Sequence, residues 1–154
     1  MQKIYMDETK LPKVMEMIKK AAALMEEKDC KNDGEAKKEL EELQKQLREI
    51  SGNPRTEVWD FREYWEYTDL ETVARKALMT SPVKEDVSDD EIKEIVLNLL
   101  SHNEAEMDWW LAYLEVNTGL YNLSDYIFYP NLVGLDKDAE LAEIADKIIA
   151  DKNN

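Results

Sequence analysis

The chain contains few of the residues that usually carry catalysis or hold a metal ion. His102 is the only histidine and Cys30 the only cysteine among 154 residues, so a metal site with histidine and cysteine ligands is not expected. A Cys–His catalytic pair would require two distant loops to meet. The four glycines are dispersed, which excludes a glycine-rich phosphate loop, and the carboxylates are too numerous for one acid–base pair to stand out. We therefore predict no catalytic residue, no metal site, no cofactor and no enzymatic activity.

A faint calcium-loop pattern lies late in the chain. Asp136, Asp138 and Glu140 have the alternate spacing of the first ligands of such a loop. The sixth position, where a calcium loop requires glycine, is Leu141. We therefore interpret Asp136 and Asp138 as residues that cap the helix that follows them, rather than as metal ligands.

The chemistry that the sequence does offer is that of protein recognition. Residues 124–130, SDYIFYP, place two tyrosines and a phenylalanine beside an aspartate. Exposed aromatic side chains bury a large area at a small cost in side-chain entropy, and they often anchor protein interfaces. The same residues would also suit a hydrophobic core, so both interpretations stay open.

A second unusual segment, EAEMDWWLAYLEVNTG at residues 104–119, is apolar around most of a helical circumference and carries the acidic residues Asp108 and Glu115. A helix of this kind is either deeply buried or shared between a core and a partner. We therefore expect Trp109 and Tyr113 to face either the first half of the chain or an external protein.

The charge of the chain is unevenly distributed. Of the net charge of −15, residues 1–82 carry −3, and residues 83–154, with five lysines, no arginine and 17 acidic residues, carry −12. Such a surface repels nucleic acid and attracts a basic partner. The alternative is that the charge only keeps the protein soluble.

Helices must position these segments, because Gly and Pro number four each and Glu, Lys, Leu and Ala dominate the sequence. Apolar residues at helical spacing predict a helix over residues 10–28. A second helix, stopped by SGNP at residues 51–54, completes a helical hairpin. An aromatic cluster over residues 59–67 is expected to pack on this hairpin, and a third helix follows, capped by Thr68 and Glu71.

The change of charge near Pro82 predicts a boundary between two units. We expect an all-α fold with an N-terminal helical hairpin unit of unknown role at residues 1–80 and an acidic four-helix domain at residues 83–154. Ser88 and Asn103 are the predicted N-caps of the first two helices of the second unit. The segment with SDYIFYP and a final amphipathic helix complete the four.

Composition also indicates the compartment. A single cysteine cannot form an internal disulfide, which suits a reducing environment. The sequence MQKIYMDETK has no apolar signal-peptide core, and no run of about 18 apolar residues occurs. We expect a soluble cytoplasmic protein that binds neither membrane nor nucleic acid directly.

Residues 85–152 resemble the small immunity proteins that protect bacteria from their own colicin and pyocin nucleases. The first helix of those acidic four-helix domains opens with an Asp, an aromatic residue, a Thr and acidic residues, similar to DVSDDE at residues 86–91. Their second helix is acidic and apolar, and their short third helix carries SDLIYYP. This chain has SDYIFYP, so Phe128 stands at a tyrosine position and Tyr126 at a leucine position.

The resemblance implies that this protein neutralises the basic nuclease domain of a bacterial toxin by binding beside its catalytic centre. The third helix of such proteins supplies the energetic anchor, which here corresponds to Asp125, Phe128 and Tyr129. The second helix selects the partner, and its matching residues are Glu104, Met107, Asp108, Leu111, Ala112 and Glu115.

Two alternatives remain open. The chain is an interaction module or adaptor that reuses an immunity-like fold without any toxin, or SDYIFYP and the aromatic helix simply pack on the first unit. The single-domain family pattern has no counterpart of residues 1–80.

Overall fold

The computed structural model describes residues 1–152. Within these residues the chain forms seven α-helices and no strand, which confirms the prediction of an all-α fold. Short 3-10 turns precede, connect or extend several of the helices. The helices are α1 (Leu11–Glu27), α2 (Gly34–Ser51), α3 (Leu70–Leu78), α4 (Asp89–Asn98), α5 (Glu104–Thr118), α6 (Leu123–Phe128) and α7 (Leu141–Lys152).

The helices belong to two compact units. One, the inserted unit, is Tyr5–Thr80, and the other, the acidic unit, comprises residues 1–4 and the described residues from Ser81 onward. The predicted division had assigned residues 1–4 to the first unit. They group with the second because the Gln2 side chain donates to the Ser81 carbonyl (3.0 Å) and accepts from the Val83 N–H (2.9 Å). Such long-range pairing leaves no trace in sequence periodicity.

The inserted unit is built on the hairpin of α1 and α2. α1 packs against α2 and α3, and the N-terminal end of α2 is capped by Asp33, whose carboxylate accepts from two backbone N–H groups. Gly52 ends α2 in the left-handed conformation (φ 69°), as the SGNP sequence predicts. The buried residues of this core include Val14, Ile18, Ala21, Leu40, Leu43, Leu47, Val58 and Ala74.

The N-terminus of α3 differs from its prediction. Asp69, not Thr68, is the N-cap residue, and its carboxylate accepts from the Thr72 N–H (2.8 Å) and the Thr72 hydroxyl (3.0 Å). An aspartate and a threonine are both good N-caps, so the shift by one residue follows from the extra hydroxyl contact that Thr72 offers to Asp69.

The aromatic segment between α2 and α3 packs only in part. Phe61 is buried in the core and Tyr64 lies against it, as predicted. Trp59, Trp65 and Tyr67 are exposed instead. The segment forms two short 3-10 turns, which leave too few inward-facing positions for all five aromatic rings.

The acidic unit is a bundle of α4, α5, α6 and α7. α4 packs along α7, and α6 contacts both α5 and α7. The predicted caps are confirmed, because the Ser88 hydroxyl accepts from the Glu91 N–H (3.1 Å) and the Asn103 side chain accepts from the Glu106 N–H (2.9 Å). The segment leading into α4 is held by Asn117 of α5, whose amide oxygen accepts from the Glu85 N–H (2.6 Å).

The inserted unit begins and ends at neighbouring points, since the Thr80 N–H donates to the Tyr5 carbonyl (3.0 Å). We therefore expect a variant that lacks residues 5–80, with Ile4 joined to Ser81 through a short glycine linker, to fold as the acidic unit alone. Circular dichroism should show helical content and a cooperative thermal transition. A non-cooperative, largely unfolded product would contradict the division into units.

Candidate protein-binding surface

The short helix α6 separates buried from exposed side chains. Leu123, Tyr126 and Ile127 are buried, whereas Asp125 is half-buried and Phe128 is 47% exposed. Asp125 and Phe128 are three residues apart, so they share the outward face of the helix. Tyr129, the residue after the helix, is 60% exposed. The three predicted anchors therefore lie together at the surface rather than in the core.

Tyr126 fixes the inward face of α6. Its hydroxyl donates to Asp151 Oδ2 of α7 (2.5 Å), and Asp151 also pairs with Lys147 (3.1 Å). Burial, reinforced by the hydrogen bond to Asp151, raises the pKa of Tyr126 to about 12. The same hydrogen bond lowers the pKa of Asp151. Tyr126 stands at a leucine position of the family that residues 85–152 resemble. Its side chain is buried like a leucine, and its hydroxyl is hydrogen-bonded.

Glu115 of α5 holds the other end of α6. Its half-buried carboxylate accepts from the Leu123 N–H, while the N-cap residue Asn122 makes no side-chain hydrogen bond to this helix. Burial raises the pKa of Glu115, and the bond from Leu123 opposes that shift. The residue was predicted to select a partner, but its contact is with its own unit, where it supplies a cap to the first turn of α6.

The remaining predicted residues of α5 divide by exposure. Glu104 is exposed, and Asp108 and Ala112 are half-buried. These three residues recur every four positions and therefore form one stripe along the helix. Met107, beside this stripe, is also half-buried. Leu111 departs from its predicted surface role, because it is only 8% exposed and belongs to the core.

Trp109 and Tyr113 are core residues. Tyr113 is fully buried, and its hydroxyl donates to Glu85 Oε2 (3.2 Å) and accepts from the Gln2 N–H. Burial is the main reason that the pKa of Tyr113 is raised. The Trp109 ring is stacked on Tyr113, with centroids 5.4 Å apart and an interplanar angle of 13°. The broad apolar surface of α5 is therefore explained by burial of several of its sides, including these two rings.

The histidine and the cysteine lie in different units. His102 Nδ1 is 3.2 Å from Glu106 Oε2, and the ring stacks on Trp110 at a centroid distance of 6.2 Å. Cys30 is buried in the inserted unit. Burial raises the pKa of its thiol, which disfavours the nucleophilic thiolate. Among residues 1–152, no cluster of three or more potential metal ligands occurs.

Asp136 accepts from the Asp138 N–H (2.8 Å) just before α7, which orders the turn that leads into this helix.

In the part of the chain that the structure describes, no helix is long and apolar enough to span a membrane. Comparisons of the chain with protein-family models, with curated proteins and with solved structures found no match.

Two large side chains near the predicted anchors were not predicted to be functional. Tyr121, in the loop before α6, is 89% exposed, and Leu132, just after Pro130, is 65% exposed. Neither lies in a periodic segment, so no helical pattern reports which way it faces. The only signal in the sequence is a large side chain two residues after Gly119 or Pro130, in turn-like segments where smaller polar residues are commoner.

Replacing Tyr126 by Phe should lower the free energy of unfolding at pH 7 by about 2 kcal/mol, because a buried hydrogen bond to a carboxylate is lost. This hydrogen bond lowers the pKa of Asp151 in the folded protein. It therefore stabilises the fold above the unfolded Asp151 pKa of about 4, and this stabilisation is lost as the pH falls through the folded pKa. Urea denaturation of both proteins should therefore show a difference that shrinks in acid. Tyr129→Phe, at an exposed hydroxyl, should leave stability unchanged.

Glu115→Gln should be as stable as the unchanged protein at pH 7, or more stable, whereas Glu115→Ala should lose about 1 kcal/mol. Glutamine keeps an acceptor for the Leu123 N–H and alanine does not. Burial raises the folded pKa of Glu115, so the stability linked to its protonation is fully present below the unfolded pKa and is lost as the pH rises through the folded pKa. At pH 7 the carboxylate still accepts from Leu123, but its charge is a cost that the neutral glutamine avoids.

Urea denaturation at pH 7 separates these two Glu115 variants. Glu94→Gln, at an exposed site on α4, provides the control for loss of one negative charge. Equal destabilisation by Glu115→Gln and Glu115→Ala would show that the carboxylate charge, and not its role as an acceptor, stabilises α6.

Proposed function

We propose that the acidic unit is an immunity domain, which binds the basic nuclease domain of a bacterial toxin and prevents it from cutting its substrate. The observation that carries this proposal is the arrangement of α6. Asp125 and Phe128 share its outward face, Tyr129 follows them at the surface, and Tyr126 is held in the core. The resemblance of SDYIFYP to the anchor of nuclease immunity proteins assigns the binding role to the side chains that are accessible here.

The energetics of such an anchor favour tight binding. Phe128 and Tyr129 would each bury a large aromatic area, and truncation of a central aromatic residue typically costs an interface about 2 kcal/mol or more. Because Tyr126 and Glu115 fix α6 from both ends, little conformational entropy remains to be lost on binding. Asp125, beside Phe128, offers an acceptor to a basic side chain of the partner.

The charge of the unit supports the same partner. Residues 83–154 carry a net charge of −12. An acidic surface accelerates the encounter with a basic protein and, once bound, repels the phosphates of a nucleic-acid substrate. Glu104 and Asp108, on the stripe of α5, supply part of this field. In this proposal Glu104, Met107, Asp108 and Ala112 contact the nuclease, and Glu115 positions α6.

The test uses the nuclease domain of a toxin encoded beside this gene. The purified protein should abolish DNA or RNA cleavage by that domain at equimolar concentration, and the association rate should fall as ionic strength rises. Phe128→Ala and Tyr129→Ala should each weaken binding about 30-fold, measured by calorimetry.

Leu97→Ala is the matched control, because Leu97 is a similarly exposed apolar residue on α4 and lies outside the proposed surface. It should bind as tightly as the unchanged protein. Failure of the unchanged protein to bind or inhibit any nuclease encoded beside it would refute the proposed function.

The inserted unit supports a second candidate, an adaptor that binds proteins without inhibiting a nuclease. Small immunity domains have no counterpart of Tyr5–Thr80, and this unit exposes Trp59 and Trp65, which are unusual surface residues. A gene neighbourhood without any toxin would favour the adaptor, and an adjacent nuclease toxin would favour immunity.

A further inference from the structure

Large exposed side chains flank α6 in addition to the predicted anchors. We infer that Tyr121 and Leu132 join Phe128 and Tyr129 in one docking surface, named here the α6 patch, which binds an apolar recess surrounded by basic groups on a partner protein. The exposed fractions of Tyr121 and Leu132, 89% and 65%, exceed those of Phe128 and Tyr129, 47% and 60%. α6 has six residues and is about 9 Å long, so residues at its two ends are close enough to share one interface.

The backbone that carries the patch is ordered by its own hydrogen bonds. The Tyr129 N–H donates to the Asp125 carbonyl (2.9 Å), the Leu132 N–H to the Tyr129 carbonyl (2.8 Å) and the Leu135 N–H to the Pro130 carbonyl (3.0 Å). Phe128, Tyr129 and Leu132 therefore project from a fixed turn rather than from a loose loop. A preorganised surface loses less entropy on binding, which suits an energetic anchor.

Charge decides which partner this patch accepts. Residues 83–154 contain 17 acidic residues and five lysines, so the unit would repel a second copy of itself. A partner with an apolar recess and a rim of lysine or arginine would cover the apolar side chains of the patch and neutralise the acidic charge of the unit. Its cations would pair with acidic residues such as Asp125, and they would also be attracted to the ring faces of Tyr121 and Tyr129.

This inference rests on the proposed function only for the identity of the partner as a nuclease. The chemistry of the patch, which is large exposed side chains on a strongly acidic unit, rests on exposure, hydrogen bonding and charge. A partner recognised by charge alone would not need Tyr121 or Leu132, so these two residues distinguish a patch from a merely acidic surface.

The first experiment probes the chemistry of the patch without a nuclease. The full chain, labelled with nitrogen-15, is titrated with a short peptide of alternating lysine and leucine, and separately with one of alternating lysine and glycine. The lysine–leucine peptide should shift amide signals mainly over residues 121–132, and the lysine–glycine peptide should shift them far less. Tyr121→Ala and Leu132→Ala should each weaken the lysine–leucine interaction about tenfold.

Matched controls separate the patch from exposed apolar residues in general. Leu97→Ala is compared with Leu132→Ala, and Tyr5→Ala with Tyr121→Ala, because Leu97 is exposed on α4 and Tyr5 is exposed in the inserted unit. Unchanged spectra away from the substitution show that each variant folds. The inference is overturned if the two peptides shift the same signals equally, or if the control variants lose as much affinity as the patch variants.

The second experiment measures the affinity of the patch variants for a nuclease domain encoded beside the gene. If the nuclease binds the unchanged protein, its affinity for Tyr121→Ala and Leu132→Ala tests the patch. A tenfold loss of affinity supports the patch. Unchanged affinity overturns the patch and leaves the proposed function intact. If no nuclease binds, the proposed function fails and the peptide shifts decide on the patch alone.

Discussion

The hydrogen bond from the Tyr126 hydroxyl to Asp151 determines which way α6 faces. A helix of six residues has fewer than two turns, and a helix this short is not stable by itself in water. Its orientation must come from contacts outside it. Tyr126 provides such a contact with α7, Glu115 of α5 provides a second at the first turn, and Leu123 and Ile127 fill the core between them. With these residues directed inward, Asp125 and Phe128 are directed outward.

The acidic unit uses its aromatic residues in two opposite ways. Tyr113 and Trp109 are buried and stacked, and Tyr113 satisfies its hydroxyl with Glu85 and Gln2. Tyr121 and Tyr129 lie at the surface. Residue type alone does not separate the two groups. The distinction arises from whether a neighbouring element supplies both a cavity for the ring and a partner for the hydroxyl, because a buried hydroxyl without a partner is costly.

Local signals in the sequence predicted the local features of the fold. The hairpin of α1 and α2, the glycine stop at Gly52 and the caps Ser88 and Asn103 each depend on a few adjacent residues, and all are present. Features that depend on distant residues were missed or misplaced. Gln2 binds Ser81 and Val83, which are separated from it by about half of the chain. Leu111, which the family resemblance assigned to the partner-facing surface, is buried instead. The family resemblance assigned Glu115 to the partner-facing surface, and nothing in the sequence shows that the Leu123 N–H needs it as an acceptor.

The hydrogen bond between Tyr5 and Thr80 has a thermodynamic consequence for the inserted unit. While the acidic unit is folded, Gln2 and Ser81 hold both ends of the insert close together, as a covalent crosslink would. Closing a chain of this length lowers the conformational entropy of its unfolded state, which stabilises the fold by roughly 4 kcal/mol. The coupling is reciprocal, since a folded insert brings residues 1–4 back to the segment that they bind. Each unit thus lowers the entropic penalty for folding the other through chain connectivity.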